Sequence, residues 1–245
     1  MTTVAQSGTP LGGQNETPYM GFGAAELLAL GARAGDAEQS LWMEAFGFIP
    51  EWHTQTAHHL GFSSLAAREM IELGEDAMLL PAGPAVLVSE VLHNVKHALY
   101  VVPDPTVSES FVVLVSEEHA LIMTRRPRKV VQIAQLVGES IPEALAEALD
   151  EILSESGELP VQVTVQSLGA EELGVLNLMN DESGEGYYML HADAEGQVEA
   201  SPLTADEFPE LLEEMLELGA LQAAEADDDQ GDVESAEAAV KQEEQ

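Results

Sequence analysis

Two sets of residues in this sequence have the types and spacing to do chemistry. The first is histidine. His93-Asn-Val-Lys-His97 sets two imidazoles at i and i+4, which on a continuous helix share a face and can chelate a divalent metal. His58 and His59 are the further ligands such a site would draw on. The segment lacks the Glu of a His-Glu-x-x-His pattern, so it offers ligands without the usual general base. Paired histidines on helix surfaces are also common without metal, and the expectation is that no metal or other cofactor is bound. The second set is cationic. Arg125, Arg126, Arg128 and Lys129 fall within five positions of a chain with only 8 Lys and Arg. Between two expected strands they would crown a hairpin. Guanidinium groups there either neutralise nearby carboxylates or dock an acidic or C-terminal carboxylate group of a partner in bidentate geometry. A weak phosphate site is the third use of the same groups.

Other chemistry is hard to build. There is no cysteine, which removes thiolate catalysis, thiolate metal sites and disulfides. No Gly-x-Ser-x-Gly elbow, P-loop or Gly-x-Gly-x-x-Gly fingerprint occurs. Carboxylates are so abundant that some pair will always be close, so proximity alone identifies no general acid and base. No catalytic residue is assigned, and the expectation is a non-enzyme.

The charge balance narrows the partners. Against those 8 cations stand 45 Asp and Glu, a net charge of −37. Phosphate backbones and anionic membranes require clustered cations, so neither nucleic acid nor membrane is an expected partner. Repulsion at this charge opposes self-association and favours a monomer or weak dimer. Three readings of the acidity compete: plain solubility or salt adaptation, an acidic holder for a basic or aggregation-prone client, and a nucleic-acid mimic. A mimic needs carboxylates at regular spacing along a surface, and no such spacing is visible. The N-terminus lacks the basic and apolar regions of a secretory signal, and no apolar run approaches the ~20 residues that span a bilayer. The expected location is the cytoplasm.

The elements that must position these residues follow from periodicity. Residues 1–18 read as a disordered leader and 222–245 as a disordered acidic tail. Residues 19–97 read as a helical segment, with helices over Ala24–Leu30, Ala37–Phe46, Ser63–Glu72 and Pro84–Lys96. Helix, turn and the short strand before Pro81 give the outline of a winged helix. Its recognition helix carries Arg68 alone, against Glu69 and Glu72, so a structural role is expected for it.

The rest of the chain says the same thing twice. Residues 98–154 read as strands Ala98–Val102, Phe111–Ser116, Ala120–Thr124 and Lys129–Ile133, then helix Ile141–Leu153. Residues 155–221 repeat the order with Val161–Gln166, Gly174–Met179, Tyr187–Ala192, Gln197–Ala200 and helix Ala205–Leu218. The copies are offset by roughly 63–67 residues. Asp181–Gly186 and Asp193–Gly196 are turn chemistry at hairpin spacing. Thr204-x-x-Glu207 is a capping box, and Ser140 caps the earlier helix. The fold class is mixed α+β: two pseudo-twofold ββββα halves with antiparallel meanders, side by side or face to face, covered by the N-terminal helices.

With Ala24-Ala-Glu-Leu-Leu-Ala-Leu30, Leu65-Ala-Ala-Arg-Glu-Met-Ile71 and Leu79-Leu-Pro81 placed before an apolar helix and two like halves, the chain resembles the EspG-type chaperones of type VII (ESX) secretion over about Gly21–Leu221. The resemblance is one of pattern and topology and carries over no site residue. It implies a cytosolic α/β protein that covers an apolar helical tip on a secretion substrate. The leading expectation is a non-enzymatic chaperone or adaptor for a protein client. An acidic regulatory or structural interaction domain is the second, and a metal-dependent enzyme using His93 and His97 the third.

Overall fold

A computed structural model describes residues 19–217, apart from 75–77, 104–109, 127–129, 158, 171–172, 182–185 and 193–197. The expected leader and acidic tail, with Arg128 and Lys129, lie outside the described residues, as does most of each expected second-half turn. The chain opens with a strand, β1 (Met20–Gly23), then helices α1 (Ala24–Leu30), α2 (Asp36–Phe46) and α3 (Gln55–Ala67). A hairpin of β2 (Ile71–Leu73) and β3 (Leu79–Pro81) leads to α4 (Pro84–Asn94). The first meander is β4 (His97–Val102), β5 (Phe111–Val115), β6 (Ala120–Arg126) and β7 (Val130–Leu136), followed by α5 (Ile141–Ser156). The second is β8 (Val161–Ser167), β9 (Gly174–Asn180), β10 (Gly186–Ala192) and β11 (Val198–Thr204), followed by a helix over 208–217, α6.

The two meanders form one antiparallel sheet of nine strands, ordered β1-β7-β6-β5-β4-β8-β9-β10-β11. The halves are therefore side by side and continuous. They join through β4 and β8, the first strand of each copy. These strands begin at 97 and 161, and Tyr100 faces Thr164 in the ladder. On that offset Tyr100 and Thr164 are equivalent residues, so a local twofold axis passes between them. Alternation then sorts side chains to two faces. Leu99, Val101, Val113, Ile122, Val163 and Leu178 point to one core, with Leu149 and Leu153 of α5 and Phe208 and Leu212 of α6. Ala98, Leu114, Leu121, Met123 and Ile133 point to the other, with Leu28 of α1, Trp42 and Phe46 of α2, Leu65 of α3 and Val88 and Leu92 of α4. No described residue of β9–β11 belongs to that second core.

Local chemistry explains where elements start and stop. Ser140 Oγ accepts the Glu143 N–H at 3.3 Å at the start of α5. At Thr204 both arms of the capping box close: Oγ1 accepts the Glu207 N–H at 3.3 Å, and Glu207 Oε2 accepts the Thr204 N–H at 2.9 Å.

Three expectations in the N-terminal segment need correction. The segment is not all helix, because Met20–Gly23 adds a strand to β7 (Met20 opposite Ile133). The third helix starts at Gln55, where Thr54 Oγ1 accepts the Ala57 N–H at 3.1 Å, rather than at Ser63. It ends at Ala67, not Glu72. The Met70 N–H bonds the Leu65 carbonyl, the Glu69 N–H bonds that of Ala66, and Glu69 is left-handed at φ 57°, a Schellman ending without glycine. The fourth helix stops at Asn94, since Val95 is already extended (φ −61°, ψ 132°).

Candidate functional site

The stop at Asn94 separates the histidine pair. His93 is on the last turn of α4 and His97 opens β4, so the two imidazoles do not share a helix face. His93 Nδ1 donates to the Ser89 carbonyl at 2.5 Å. His97 Nδ1 meets Ser167 Oγ of β8 at 2.8 Å, and both residues are buried. Burial, and then the charge of Lys96, lowers the His97 pKa to about 4. It is thus a neutral core group that ties the two halves together. His58 lies on α3 with its ring 4.4 Å from that of His53. Burial, then the neighbouring His53 and His59, lowers its pKa.

The cationic set is divided. Arg125 Nη2 donates to the Ala45 carbonyl at 2.7 Å, in the last turn of α2. That end exposes carbonyls and the negative pole of the helix dipole, so a guanidinium there is a cap. Gly47, left-handed at φ 63°, gives it room: a Cβ at Gly47 would sit 3.0 Å from Arg125 Nη1. Arg126 pairs through its backbone with Val130.

Arg68, the cation of the winged-helix outline, is also committed. Its Nη1 donates to Glu26 Oε2 at 2.7 Å and its Nη2 to the Gly21 carbonyl at 2.9 Å. Glu26 is buried, which raises its pKa. The Gly23 N–H, Ser64 Oγ–H and Arg68 outweigh that and leave it lowered. This ionised carboxylate pins β1, α1 and α3 together and leaves Arg68 unavailable to phosphate.

An open concavity of about 1240 Å³ lies where α5 and α6 cross the second half of the sheet. Its apolar lining includes Ala146, Met179, Phe208 and Pro209. Its carboxylates are Glu139, Glu143, Glu147 and Asp150 from α5 and the turn before it, and Asp181 after β9. None of its described lining residues is Lys, Arg or His. The α5 carboxylates recur at 143, 147 and 150, spacings of four and three that keep them on one helical side, while Leu145, Leu149, Ile152 and Leu153 turn to the sheet. Tyr187 supplies the fixed point of the floor. Its hydroxyl donates to Asp150 Oδ1 at 2.5 Å, and its ring packs on Phe208 with centroids 5.0 Å apart. Burial, with the Asp150 hydrogen bond and charge, pushes the phenol pKa well up, so it stays protonated and remains a donor.

No family model matches the chain. No curated protein matches it either. Among solved structures it is similar to the Mycobacterium tuberculosis type VII secretion system chaperone EspG5, solved in complex with a PE25-PPE41 dimer. The TM-score is 0.43 at 11% identity, over 84% of this chain and 96% of that one. The likeness assigns a role to no residue.

The groove was not foreseen in the sequence. Its signal, carboxylates at helical spacing opposite the apolar stripe of α5, was present but indistinct among 45 acidic residues.

Proposed function

We propose that this protein is a non-enzymatic chaperone or adaptor that holds a helical segment of a protein client in the groove between α5 and α6. The carrying observation is the groove itself: an apolar floor at Phe208, Pro209 and Ala146, walled by Glu143, Glu147 and Asp150. A helix presents an apolar stripe about 100° wide with polar flanks, which is the complement of this cross-section. Lysine or arginine on those flanks would face carboxylates. The surrounding charge of −37 keeps such a complex soluble. Cytosolic work on a secretion substrate, as for the EspG-type chaperones, is the biological setting this reading favours. The cationic hairpin Arg125, Arg126, Arg128 and Lys129 enters it as a candidate contact for an acidic or carboxylate group on the client, beyond the cap that Arg125 provides.

The test is fluorescence anisotropy with a labelled 20-residue amphipathic helix carrying Lys on its polar flanks, with a Glu-flanked version as control. The wild type should bind the Lys peptide, and added salt should weaken it. Reversing two walls in E143K/E147K should weaken it about tenfold, at roughly 0.7 kcal/mol for each partly exposed charge. Equal binding of both peptides, equal binding by wild type and variant, or no binding at all would refute the proposal.

A further inference from the structure

We infer that Glu90, Glu118 and His119 form a binding site for a divalent transition-metal ion, zinc being the best match, away from the client groove. Their ligand atoms all lie within 4.8 Å of one another, and His119 Nε2 stands 3.9 Å from Glu90 Oε2. Among the described residues this is the one group of three such side chains that converge. The three come from two elements held in place independently. Glu90 rides on α4, whose rotation is fixed by buried Val88, Val91 and Leu92. Glu118 and His119 occupy the turn between β5 and β6. That turn is clamped by buried Ser116, whose N–H donates to the His119 carbonyl at 2.9 Å and whose Oγ accepts the His119 N–H at 3.1 Å.

The chemistry of the set selects the ion. One imidazole nitrogen and two carboxylate oxygens are an N/O set that suits zinc among borderline divalent ions. Such ligands sit about 2.0–2.2 Å from zinc, so neighbouring ones are about 3.3 Å apart in a tetrahedron. Moving from 3.9 Å to that separation requires small rotations of side chains that are part-exposed: 45% for Glu90 and 28% for His119. Two carboxylates also repel each other, and a dication between them removes that cost. Lys96 does not serve this purpose, since it reaches Glu117 at 4.0 Å. The bound ion would staple the C-terminal half of α4 to the β5–β6 turn, with water completing its shell.

Isothermal titration of the full chain with ZnCl₂ alone tests this, in millimolar Mg²⁺ to saturate diffuse acidic sites. One equivalent should bind. Outer-shell changes typically cost about 10–100-fold in metal affinity, so removing a ligand by H119A or E90Q should weaken it at least about tenfold. Zinc should raise the Tm of the wild type and leave that of H119A unmoved, which separates lost binding from lost folding. A H58A variant should bind as the wild type does. Absence of one-to-one binding, unchanged affinity in H119A and E90Q, or loss in H58A instead would overturn the assignment.

Discussion

Acidification should loosen the seam between the two halves through His97. This imidazole lies in the β4–β8 ladder, paired in register with Ser167, and is buried with it. Burial and the charge of Lys96 lower its pKa from 6.5 to about 4. In the unfolded chain it titrates near 6.5, so between the two values the unfolded state binds more protons. Stability from this group is full above pH 6.5 and is lost as pH falls towards 4. The two-state linkage relation with these pKa values gives a loss of about 2 kcal/mol by pH 5 and about 3 kcal/mol by pH 4. A second effect runs the other way, since protonating surface carboxylates relieves the repulsion of a chain carrying −37. The two are separated by comparison with His97→Gln, which keeps a polar group beside Ser167 and the same carboxylates. Urea unfolding of both proteins at pH 7.5, 5.5, 5 and 4 supplies the measurement. The stability of wild type relative to His97→Gln should fall by the amounts above. A difference that stays constant within about 0.5 kcal/mol, or that grows on acidification, would show that His97 is not held neutral in the fold.

Two further substitutions probe the N-terminal cover. In Gly61→Ala the added Cβ would lie 1.9 Å from the Ala25 carbonyl oxygen of α1, a backbone atom that cannot turn aside. Alanine gains about 1 kcal/mol in helix propensity, but overpacking against backbone costs about 3 kcal/mol, so urea unfolding should show a net loss of about 2 kcal/mol. Arg68→Ala leaves Glu26 buried without its cation. Fully buried pairs lose about 3–5 kcal/mol on such a change, and the part-exposed guanidinium discounts this to about 2 kcal/mol. Glu26→Gln/Arg68→Ala should recover part of that loss, and no recovery would mean that the guanidinium acts mainly through its packing on Phe22 (5.4 Å from the ring centroid) and its bond to Gly21.

The repeated unit was legible because its signals are local. Val161–Val165 alternates with period two, Phe111–Val115 is continuously apolar, and Ser140 and Thr204 announce their helices. The strand order around β4 and β8 follows from them once the sheet is allowed to be single. The N-terminal segment was less legible because distant contacts fix it. Met-Gly-Phe-Gly has no strand alternation of its own, and it becomes β1 through β7, more than 100 residues on. Gly61 sits inside α3, where α1 passes too close for any side chain. The histidine pair failed for a related reason. Its i, i+4 spacing has meaning only on a continuous helix, and Val95 turns the chain into β4 between the two residues. His119 went unnoticed because its companion Glu90 is on another element.

The division of labour between the halves bears on where a client would sit. The copies share their strand order and meet at Tyr100 and Thr164, and α5 and α6 pack on the same face of the sheet. The opposite face is treated unequally: α1–α4 cover β4–β7, whereas no described residue of β9–β11 belongs to that core and Val175 is 50% exposed. Of the cationic set that distinguishes the first copy in sequence, Arg125 is drawn into this arrangement, because it caps the end of α2, one of the covering helices. Part of the asymmetry in charge is thus a consequence of building the cover. What the cover does not explain is the acidic wall of α5 over the second half, where Tyr187 and Asp150 hold the floor of the groove. The first half is covered on both faces, whereas the second carries the walled groove on its α5–α6 face. A client bound there would meet a preformed sheet and would not have to open the core.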